Sequence, residues 1–532
     1  MRQKPKRLGI VALLLALAMI AAACGSETET SAAPETSSDT TSEPSEDAAA
    51  DEETVADDEV ASNVLRVGLQ FGPDAGLAIE TDDSSILVKA AVIEGLVDAD
   101  ATGQPQPGLA TAWERIDANT WEFDLREGVV FHDGSAFDAA AVQTALNFIS
   151  TVASPPRSLG GLTLTTEIID ELTVQIVTSE PDPILPLRLS SRPMGILAPA
   201  AYESTPTEPI GTGPFAVSDF TPPDSLTVER FDDYWGEVAQ LDGAEFRFLP
   251  DAGARSAAIR AGEIDVADGI AIPDLEALEQ DADVELIRFS LPRTASLYAN
   301  TDNGPLANDA VREALSLAIN ETSIADDLLE GQFSAAAGYF GPENEWAPQR
   351  DIDPAGAVDE ASAILDGLAD DDRSITVWTY NSRPELPDIA TVVQSQLQSA
   401  GFEVELEVAD YTPLEERVFA GEHDLFLVSR GYYFDIADPG AVLSSDFTCE
   451  GGYNLSLHCD PEFDALVNEL SLADSTDDRQ ALFAEAAQFL QDENIGFPLV
   501  HDNARYAART NVEGLEIDPF ETTILTTSVS LG

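Results

Sequence analysis

The chain has 532 residues, more than one hydrophobic core usually supports, so its length predicts two or three lobes. Asp and Glu outnumber Lys and Arg by 98 to 26, which gives a formal net charge of -72. A surface this acidic repels phosphate backbones, so the composition argues against nucleic-acid binding. The charge is typical of a solvated coat suited to saline surroundings or of a GC-rich genome, and a cation-binding role is the alternative.

The first residues have the layout of a secretory signal. A basic start is followed by an apolar run from Leu8 to Ile20 and by small residues that lead to Cys24. This run is too short for a comfortable membrane span, so we expect residues 1–23 to be a signal peptide. The ending AAAC looks like a bacterial lipobox, which predicts that Cys24 is lipidated and becomes the first mature residue. Cleavage at an ordinary Ala-x-Ala site is the alternative.

The segment after Cys24 contains no aromatic residue and almost no aliphatic one up to about residue 61. Such a segment cannot bury enough apolar surface to offset the entropy of ordering it, so residues 24–61 are expected to form a disordered tether. The globular body then begins near Ser62. No later segment approaches 18 consecutive apolar residues, so we expect no membrane span after the signal.

The body opens with alternating and then helical apolar patterns. In chain order these patterns predict a strand at 63–71, a helix at 86–97, a strand at 121–125, a turn at Asp133-Gly134 and a helix at 137–150 capped by Asp138. Strand signals follow in LTVQIVT, LTVER, AEFRFLP, SITVWTY and FEVELEVAD, and helix signals in AGARSAAIRAG, AVREALSLAI and DIATVVQSQLQSAG, the last ending at Gly401. This mixture predicts an α/β or α+β protein with several lobes.

One stretch resembles a catalytic site, because His132, Asp133 and Ser135 lie within four residues of one another. Residues this close along a tight turn do not readily converge on one reacting atom, and a hydrolase would also need an oriented base and an oxyanion hole. The other histidines are scattered without metal-binding spacing. We therefore expect a structural turn, no catalytic residue, no metal and no cofactor.

Two cysteines follow Cys24, namely Cys449 and Cys459. Outside the cytoplasm a nearby pair is more often a disulfide than a metal site, so we expect a disulfide that closes a small loop. Zinc would want more ligands at tighter spacing than His458 beside Cys459 provides.

Several phrases, taken together and in order, resemble one family, the extracytoplasmic solute-binding proteins of peptide, nickel and opine ABC importers. The phrases are GLATAWERIDANTWEFDLREGVVFHDGSAFDAAAV, GTGPFAVSDF, VERFDDYWGEVAQLDGAEFRFLPDAGARSAAIRAGEIDVADG, NDAVREALSLAIN and DPEFDALVNE. The resemblance covers about residues 63–519. It implies an α/β, two-lobed periplasmic-binding-protein-like clamp (type II, cluster C) with an extra inserted domain, closing by hinge motion around a solute.

The family layout implies a domain partition of the chain. Lobe I would combine residues 62–85, 207–290 and 500–532, the inserted domain II would span 86–206, and lobe III would span 291–499.

The segment from Gly431 to Pro439 looks closest to the dipeptide- and oligopeptide-binding branch, in which a Gly-aromatic pair precedes an Asp three residues before Asp-Pro. Asp435 matches the position that pairs with the amino terminus of a bound peptide. An ammonium ion that enters a closed cleft needs a charge-assisted acceptor, which a buried carboxylate supplies. A solvent-facing loop residue or a helix cap near Pro439 is the alternative for Asp435.

Dipeptide-binding members hold the ligand carboxylate with an Arg before a Pro, downstream of a strand Trp. Trp378 followed by Arg383-Pro384 fits this pattern with one residue gapped, so Arg383 is the candidate for a bidentate grip. Surface ion pairing in a very acidic protein is the alternative for Arg383.

Four aromatic residues are candidates to line the pocket with flat apolar area and hydroxyls: Trp378, Tyr380, Tyr432 and Tyr433. Each alone is as typical of a core position, and we expect Phe434 to be core. The sequence departs from the branch at two places, because Tyr432 replaces a usual Trp and Arg430 stands where a small residue is common.

The resemblance implies a lipid-anchored component of an ABC importer, which captures peptides and delivers them to a permease and its ATPase at the extracytoplasmic face of the cell membrane. It also implies a disulfide loop at Cys449 and Cys459, just past the ligand segment. Capture of a nickel chelate, an opine or a sugar is one alternative, and a surface sensor or adhesin that uses the same fold is another. We expect a monomer, since clamp closure does not require the symmetry of an oligomer.

Overall fold

The structure is a computed structural model that describes residues 63–100, 103–352 and 356–532. The expected signal peptide, Cys24 and the tether lie outside the described residues. The strands in this part of the chain are β1 Val64–Leu69, β2 Val97–Ala99, β3 Pro105–Pro107, β4 Ala110–Arg115, β5 Thr120–Leu125, β6 Leu164–Asp170, β7 Thr173–Thr178, β8 Phe215–Thr221, β9 Ser225–Arg230, β10 Gly243–Phe248, β11 Val266–Ala267, β12 Val284–Ala299, β13 Ser334–Ala335, β14 Ser374–Tyr380, β15 Glu403–Ala409, β16 Leu425–Gly431, β17 Gly496–Arg509, β18 Val512–Glu513 and β19 Ser530–Leu531.

The α-helices alternate with these strands through most of the chain. They are α1 Ser84–Lys89, α2 Ala139–Thr151, α3 Leu185–Arg188, α4 Ala252–Ala261, α5 Ile272–Glu279, α6 Asp309–Ala318, α7 Glu321–Ser323, α8 Val358–Leu365, α9 Glu385–Ala400, α10 Tyr411–Phe419, α11 Gly440–Phe447, α12 Pro461–Leu470 and α13 Thr476–Asp492. Within the described residues we find no helix whose length and apolar character would let it cross a membrane.

Eleven strands form one continuous sheet in the order β15-β14-β16-β12-β17-β11-β1-β10-β9-β8, with β13 paired to β17. At one end β14 runs parallel to β15 and β16, and near the other end β1 runs parallel to β10 and β11. The long antiparallel strands β12 and β17 connect the two parallel groups. The register of β12 on β17 shifts between Ser290 and Thr294, near the middle of the pair.

The sheet contributes residues to two large, separate hydrophobic cores. One core contains residues of β12 from Ala295 onward and of β17 up to Val500, together with the helices between them. The other contains Leu291 on β12, Ala504 on β17 and the apolar residues of β1 and β10. The two cores therefore separate between Leu291 and Ala295 on β12 and between Val500 and Ala504 on β17. The lobe boundaries expected at residues 291 and 500 stay predictions.

A second, four-stranded antiparallel sheet, β4-β5-β7-β6, lies within the segment expected to be the inserted domain. Helix α2 packs beside it, and Asp138 caps this helix by accepting hydrogen bonds from the backbone N–H groups of Ala140 and Ala141 at 2.9 Å. Apolar residues of this sheet belong to the same core cluster as β1 and β10. The four-stranded sheet thus shares one core with β1 and β10, and the partition at residues 86–206 stays a prediction.

The helix expected at 86–97 is wrong beyond Lys89, because α1 ends there and Ala91 adopts a left-handed backbone with φ 51°. The next residues pair with distant backbone instead: the N–H of Gly213 donates to the carbonyl of Val92 at 3.1 Å, and that of Ile196 donates to Glu94 at 2.9 Å. These long-range bonds satisfy the backbone that a helix would have satisfied internally.

Cys449 and Cys459 form the expected disulfide across a sequence separation of 10. Asn454 spans the same loop, because its side-chain amide donates to the carbonyl oxygens of Thr448 at 2.9 Å and His458 at 2.6 Å. Tyr453, within the loop, has its ring beside the guanidinium groups of Arg157 and Arg430.

We predict that replacing both cysteines by serine lowers the free energy of unfolding by about 2–3 kcal/mol, because the disulfide restricts a short loop of the unfolded chain. Chemical denaturation of the Cys449→Ser/Cys459→Ser variant and the wild type measures this difference. Equal denaturation midpoints for the two proteins, both under non-reducing conditions, would show that the disulfide contributes no stability.

Candidate functional site

The two groups of parallel strands present their carboxyl ends to a common cavity of ≈ 730 Å³, which we call the cleft. Residues just after β1 and β11 line it from one side, and residues just after β14 and β15 and at the end of β16 line it from the other. Ligands of open α/β sheets bind outside the carboxyl ends of the strands. The volume also suits a small organic solute.

A second cavity of ≈ 280 Å³, the adjoining pocket, shares six lining residues with the cleft. The shared residues are Gln70, Phe71, Lys89, Asp268, Arg383 and Glu521. Phe71 is 45% exposed, which is unusual for a large apolar side chain, and it presents its ring to both cavities. The junction of the two cavities therefore combines one exposed aromatic face with charges of both signs.

Five of the chain's 26 basic residues line the cleft: Lys89, Arg157, Arg293, Arg383 and Arg430. Because the protein is so acidic, this concentration of cations distinguishes the cleft from the rest of the chain. The cleft is also lined by carboxylates, so the site can pair with a solute that carries both charges.

Arg383 lies in the loop between β14 and α9, where the sequence pattern placed it, and lines both the cleft and the adjoining pocket. Its side chain is 12% exposed. The carboxylates nearest to its Nη1 are those of Asp502 at 3.5 Å and Glu385 at 3.8 Å. These distances are long for hydrogen bonds, so Arg383 retains donor capacity toward a ligand.

Asp435 does not line the cleft but borders two neighbouring cavities of ≈ 650 and ≈ 180 Å³. Its carboxylate accepts from Arg430 Nη2 at 2.8 Å and from Arg157 Nε at 3.2 Å, one arginine on each oxygen. Burial alone would raise the pKa of Asp435, but the charges of Arg430 and Arg157 outweigh that effect and lower the pKa to about 2. The carboxylate is therefore ionised, and the two guanidinium groups already compensate its negative charge.

The two arginines on Asp435 also bind further carboxylates. Arg430 forms a two-point contact with the buried Asp446, at 2.9 and 3.1 Å, and Arg157 contacts the more exposed Asp82 at 3.0 Å. The result is an alternating chain of five charges that connects residues preceding α1, the inserted segment and the core around β16. We call it the charge chain.

The aromatic candidates divide into two groups. Tyr380 lines the cleft, and Tyr433 lines the ≈ 180 Å³ cavity and donates its hydroxyl hydrogen bond to Asn344 at 2.6 Å. Trp378 and Tyr432, also expected to border the ligand, line none of the four cavities.

Specific neighbours account for the burial of these two rings. The guanidinium of Arg417 covers the Trp378 ring at 4.1 Å. Tyr432 is 1% exposed and directs its hydroxyl to Glu343 and to the backbone N–H of Gly341. Phe434, expected to be core, is instead only half-buried, lines the cleft and stacks on the guanidinium of Arg192 at 3.9 Å.

The family model described as "Bacterial extracellular solute-binding proteins, family 5 Middle" matches residues 104–454. The chain belongs to this family. "Probable di/tripeptide-binding protein 5" of Pseudomonas aeruginosa (strain UCBPP-PA14) is 29% identical over 466 residues, which are 80% of this chain and 87% of that relative.

Two solved structures share the two-lobed fold. The dipeptide-binding protein of Pseudoalteromonas sp. SM9913 in complex with Met-Leu has a TM-score of 0.79 at 20% identity, covering 88% of this chain and 100% of that chain. NikA from Staphylococcus aureus in complex with Ni(L-His)2 has the same TM-score, identity and coverage. Proteins with different ligands therefore match equally well, and the fold alone does not select the ligand.

Membership in a solute-binding family agrees with a structural role for the turn formed by His132, Asp133 and Gly134. His132 Nε2 lies 3.0 Å from the carbonyl oxygen of Gly213, and its Nδ1 accepts from the N–H of Gly211. The Ser135 hydroxyl donates to Asp133 at 2.5 Å, not to the imidazole. Over the described ranges no group of three or more His, Cys, Asp or Glu residues is arranged to hold a metal ion.

Lys89, Phe71 and Asp268 are among the cleft residues that were not identified from the sequence. Two signals could have indicated them. Lys89 is the only lysine after Lys6, Phe71 lies two residues after β1, and Asp268 directly follows β11. Ligands of open α/β sheets bind outside such carboxyl ends of strands.

We predict that Asp435→Asn lowers stability at pH 7 by about 2–3 kcal/mol, from the difference between the ordinary pKa of 3.8 and the folded value of about 2. Because the folded-state pKa is depressed, this stabilisation is present above about pH 4 and is lost as the pH falls toward 2. Urea denaturation at pH 7 and pH 3 measures it.

Asp82→Asn is the matched control, since this carboxylate also contacts Arg157 but is 64% exposed, and its loss should cost less than about 1 kcal/mol. An equal effect of both substitutions, or an Asp435→Asn effect that does not shrink on acidification, would contradict the assigned role of the ion pairs.

Proposed function

We propose that the protein is the solute-binding component of an ABC importer and that it captures short peptides in the cleft. The observation that carries this proposal is the cleft itself: a cavity of ≈ 730 Å³ lined by residues of both lobes and by charges of both signs. A peptide has a charged group at each end and amide groups between them. The names of the curated relatives, which include di/tripeptide-binding and dipeptide-binding proteins, support the same solute class.

In this proposal Arg383 binds the ligand carboxylate, and Tyr380 and Phe71 provide flat surface for the peptide and its side chains. A planar guanidinium suits this task because it can donate two parallel hydrogen bonds to one carboxylate. Tyr433 contributes only if the ligand extends into the ≈ 180 Å³ cavity. Asp435 is assigned a structural role, because both of its oxygens already accept from arginines.

The extracytoplasmic setting of the family fits the further parts of the proposal. Lipidation at Cys24 would anchor the protein to the membrane, and the partners would be a permease and its ATPase. We propose that the protein acts as a monomer and that the partition into lobes I, II and III describes the moving parts.

We predict that a di- or tripeptide present at 100 times its dissociation constant stabilises the protein by about 2.7 kcal/mol. Thermal unfolding of the purified protein against peptides, free amino acids, sugars, and nickel with and without chelators measures this effect. Stabilisation by a sugar or a nickel chelate, with none by peptides, would reject peptide capture and leave the family assignment intact.

We further predict that Arg383→Met weakens peptide binding by about 2 kcal/mol or more, because a charge-assisted contact to the carboxylate is lost. Trp378→Phe is the control, since this ring lies outside the cleft. Calorimetric titration gives both affinities. If Arg383→Met still distinguishes a peptide from its carboxyl-terminal amide as the wild type does, Arg383 is not the carboxylate contact.

A further inference from the structure

Asp268 is a cleft carboxylate with unused capacity. It directly follows β11, its side chain is 12% exposed, and it lines both the cleft and the adjoining pocket. Its Oδ1 accepts from the backbone N–H of Gln70 at 2.6 Å. Among the described residues no donor lies within hydrogen-bond distance of Oδ2, so one oxygen of this carboxylate is left for a partner.

The cation nearest to Asp268 does not neutralise it through a hydrogen bond. Arg255 Nε is 3.8 Å from Asp268 Oδ1, and the same guanidinium donates to backbone carbonyls of Asp268, Pro250 and Gly269 at 2.9, 3.0 and 2.7 Å. Arg255 is therefore committed to the loop backbone. Burial raises the pKa of Asp268, which is the direction expected for an incompletely compensated carboxylate.

Lys89 is a cation of the cleft that has no direct ion pair in the described part of the chain. It ends α1 and lines the same two cavities as Asp268. In the part of the chain that the structure describes, no carboxylate oxygen lies within 4 Å of its ammonium and no acceptor lies within hydrogen-bond distance. Its charge nevertheless acts on Asp268 and on Glu521, since it lowers the pKa of both. The two opposite charges are thus neighbours that do not form a direct ion pair.

Three other cations that line the cleft are paired directly with carboxylates. Arg293 Nη2 contacts Glu521 at 2.5 Å, and Arg430 and Arg157 share Asp435. A charged group that enters at Asp435 must displace an arginine, whereas one that enters at Asp268 or Lys89 displaces no protein partner. Because an unpaired charge enclosed in a closing cleft is unfavourable, a ligand group of opposite charge is favoured at each of these two residues.

We propose that Asp268 accepts the ammonium group of the ligand and that Lys89, together with Arg383 across the cleft, binds its carboxylate. This inference rests on the proposed function and specifies its substrate class as zwitterionic peptides with free amino and carboxyl termini. Such ligands have no net charge from their termini, so the acidic surface does not repel them as it repels anions. Blocking either terminus leaves one cleft charge unpaired.

The test uses Met-Leu and Ala-Ala-Ala, each also as its N-acetyl and its carboxyl-terminal amide derivative. Calorimetric titration compares the full chain with the variants Asp268→Asn, Lys89→Met and Asp435→Asn. The first variant keeps an oxygen to accept from the N–H of Gln70, and the last is its matched control at the position that sequence similarity favours. Thermal unfolding without peptide confirms that each variant folds.

In the wild type we expect blocking either terminus to weaken binding by about 10- to 100-fold, the range for hydrogen bonds to charged groups. Asp268→Asn should abolish the preference for a free amino terminus and retain the preference for a free carboxyl terminus. Lys89→Met should reduce the second preference and retain the first. Asp435→Asn should retain both.

Two results would overturn the inference, and they are distinguishable. If neither free peptide binds to the wild type, the proposed function fails and this inference fails with it. If the free peptides bind but Asp435→Asn abolishes the amino-terminal preference while Asp268→Asn retains it, peptide capture stands and the ammonium site is Asp435.

Discussion

The pairing of β12 with β17 is the constraint on which the cleft depends, because these two strands run through both hydrophobic cores. Their register shifts between Ser290 and Thr294, and Arg293 lies within this stretch, with its guanidinium on Glu521. Asp502 lies at the corresponding part of β17, close to Arg383. Arg293 and Asp502 thus lie in the segment where one core ends and the other begins. A hinge motion that changes the angle between the cores would therefore change the ion pairs of these two residues.

The charge chain also connects elements that are far apart in the sequence. It contains buried members on the core around β16 and reaches Asp82, before α1, through Arg157. Buried ion pairs add little net stability, because the cost of removing charges from water offsets their attraction, but breaking one strands an uncompensated charge. Such a chain therefore specifies one arrangement of its elements more effectively than it stabilises the fold. It holds Arg430 in place at the border of the cleft.

Local patterns predicted the elements whose stability is local. The spacing in α2 and its Asp138 cap, and the ending of α9 at Gly401, follow from backbone geometry within one segment. The helix at 86–97 failed because the backbone of Val92 pairs with Gly213, 121 residues later, and no local pattern encodes that bond. Sequence similarity, which carries long-range information, was needed to predict the two-lobed fold.

The same distinction between local patterns and long-range contacts applies to the side chains of the site. Arg383 and Tyr380, two of the predicted ligand contacts, line the cleft because the carboxyl end of β14 is there. Trp378 lies on the same strand two residues earlier, and α10 covers it with Arg417. Tyr432 is buried and directs its hydroxyl to Glu343, whereas the next residue, Tyr433, borders a cavity. Strand position determines which end of a strand meets a cavity, but the packing of neighbouring helices and loops determines which rings remain uncovered.

The arginine at position 430 has the largest consequence for charge. A small residue there would leave Asp435 with Arg157 as its partner, whereas Arg430 adds a second cation to a carboxylate that is 7% exposed. An ammonium ion gains little from a carboxylate that two guanidinium groups already neutralise. Even with Arg430 at this position, the cleft still needs a hydrogen-bond acceptor, because a zwitterionic ligand brings a positive charge into a poorly hydrated site. Asp268, buried after β11 with one oxygen free, is the carboxylate that we propose for this role.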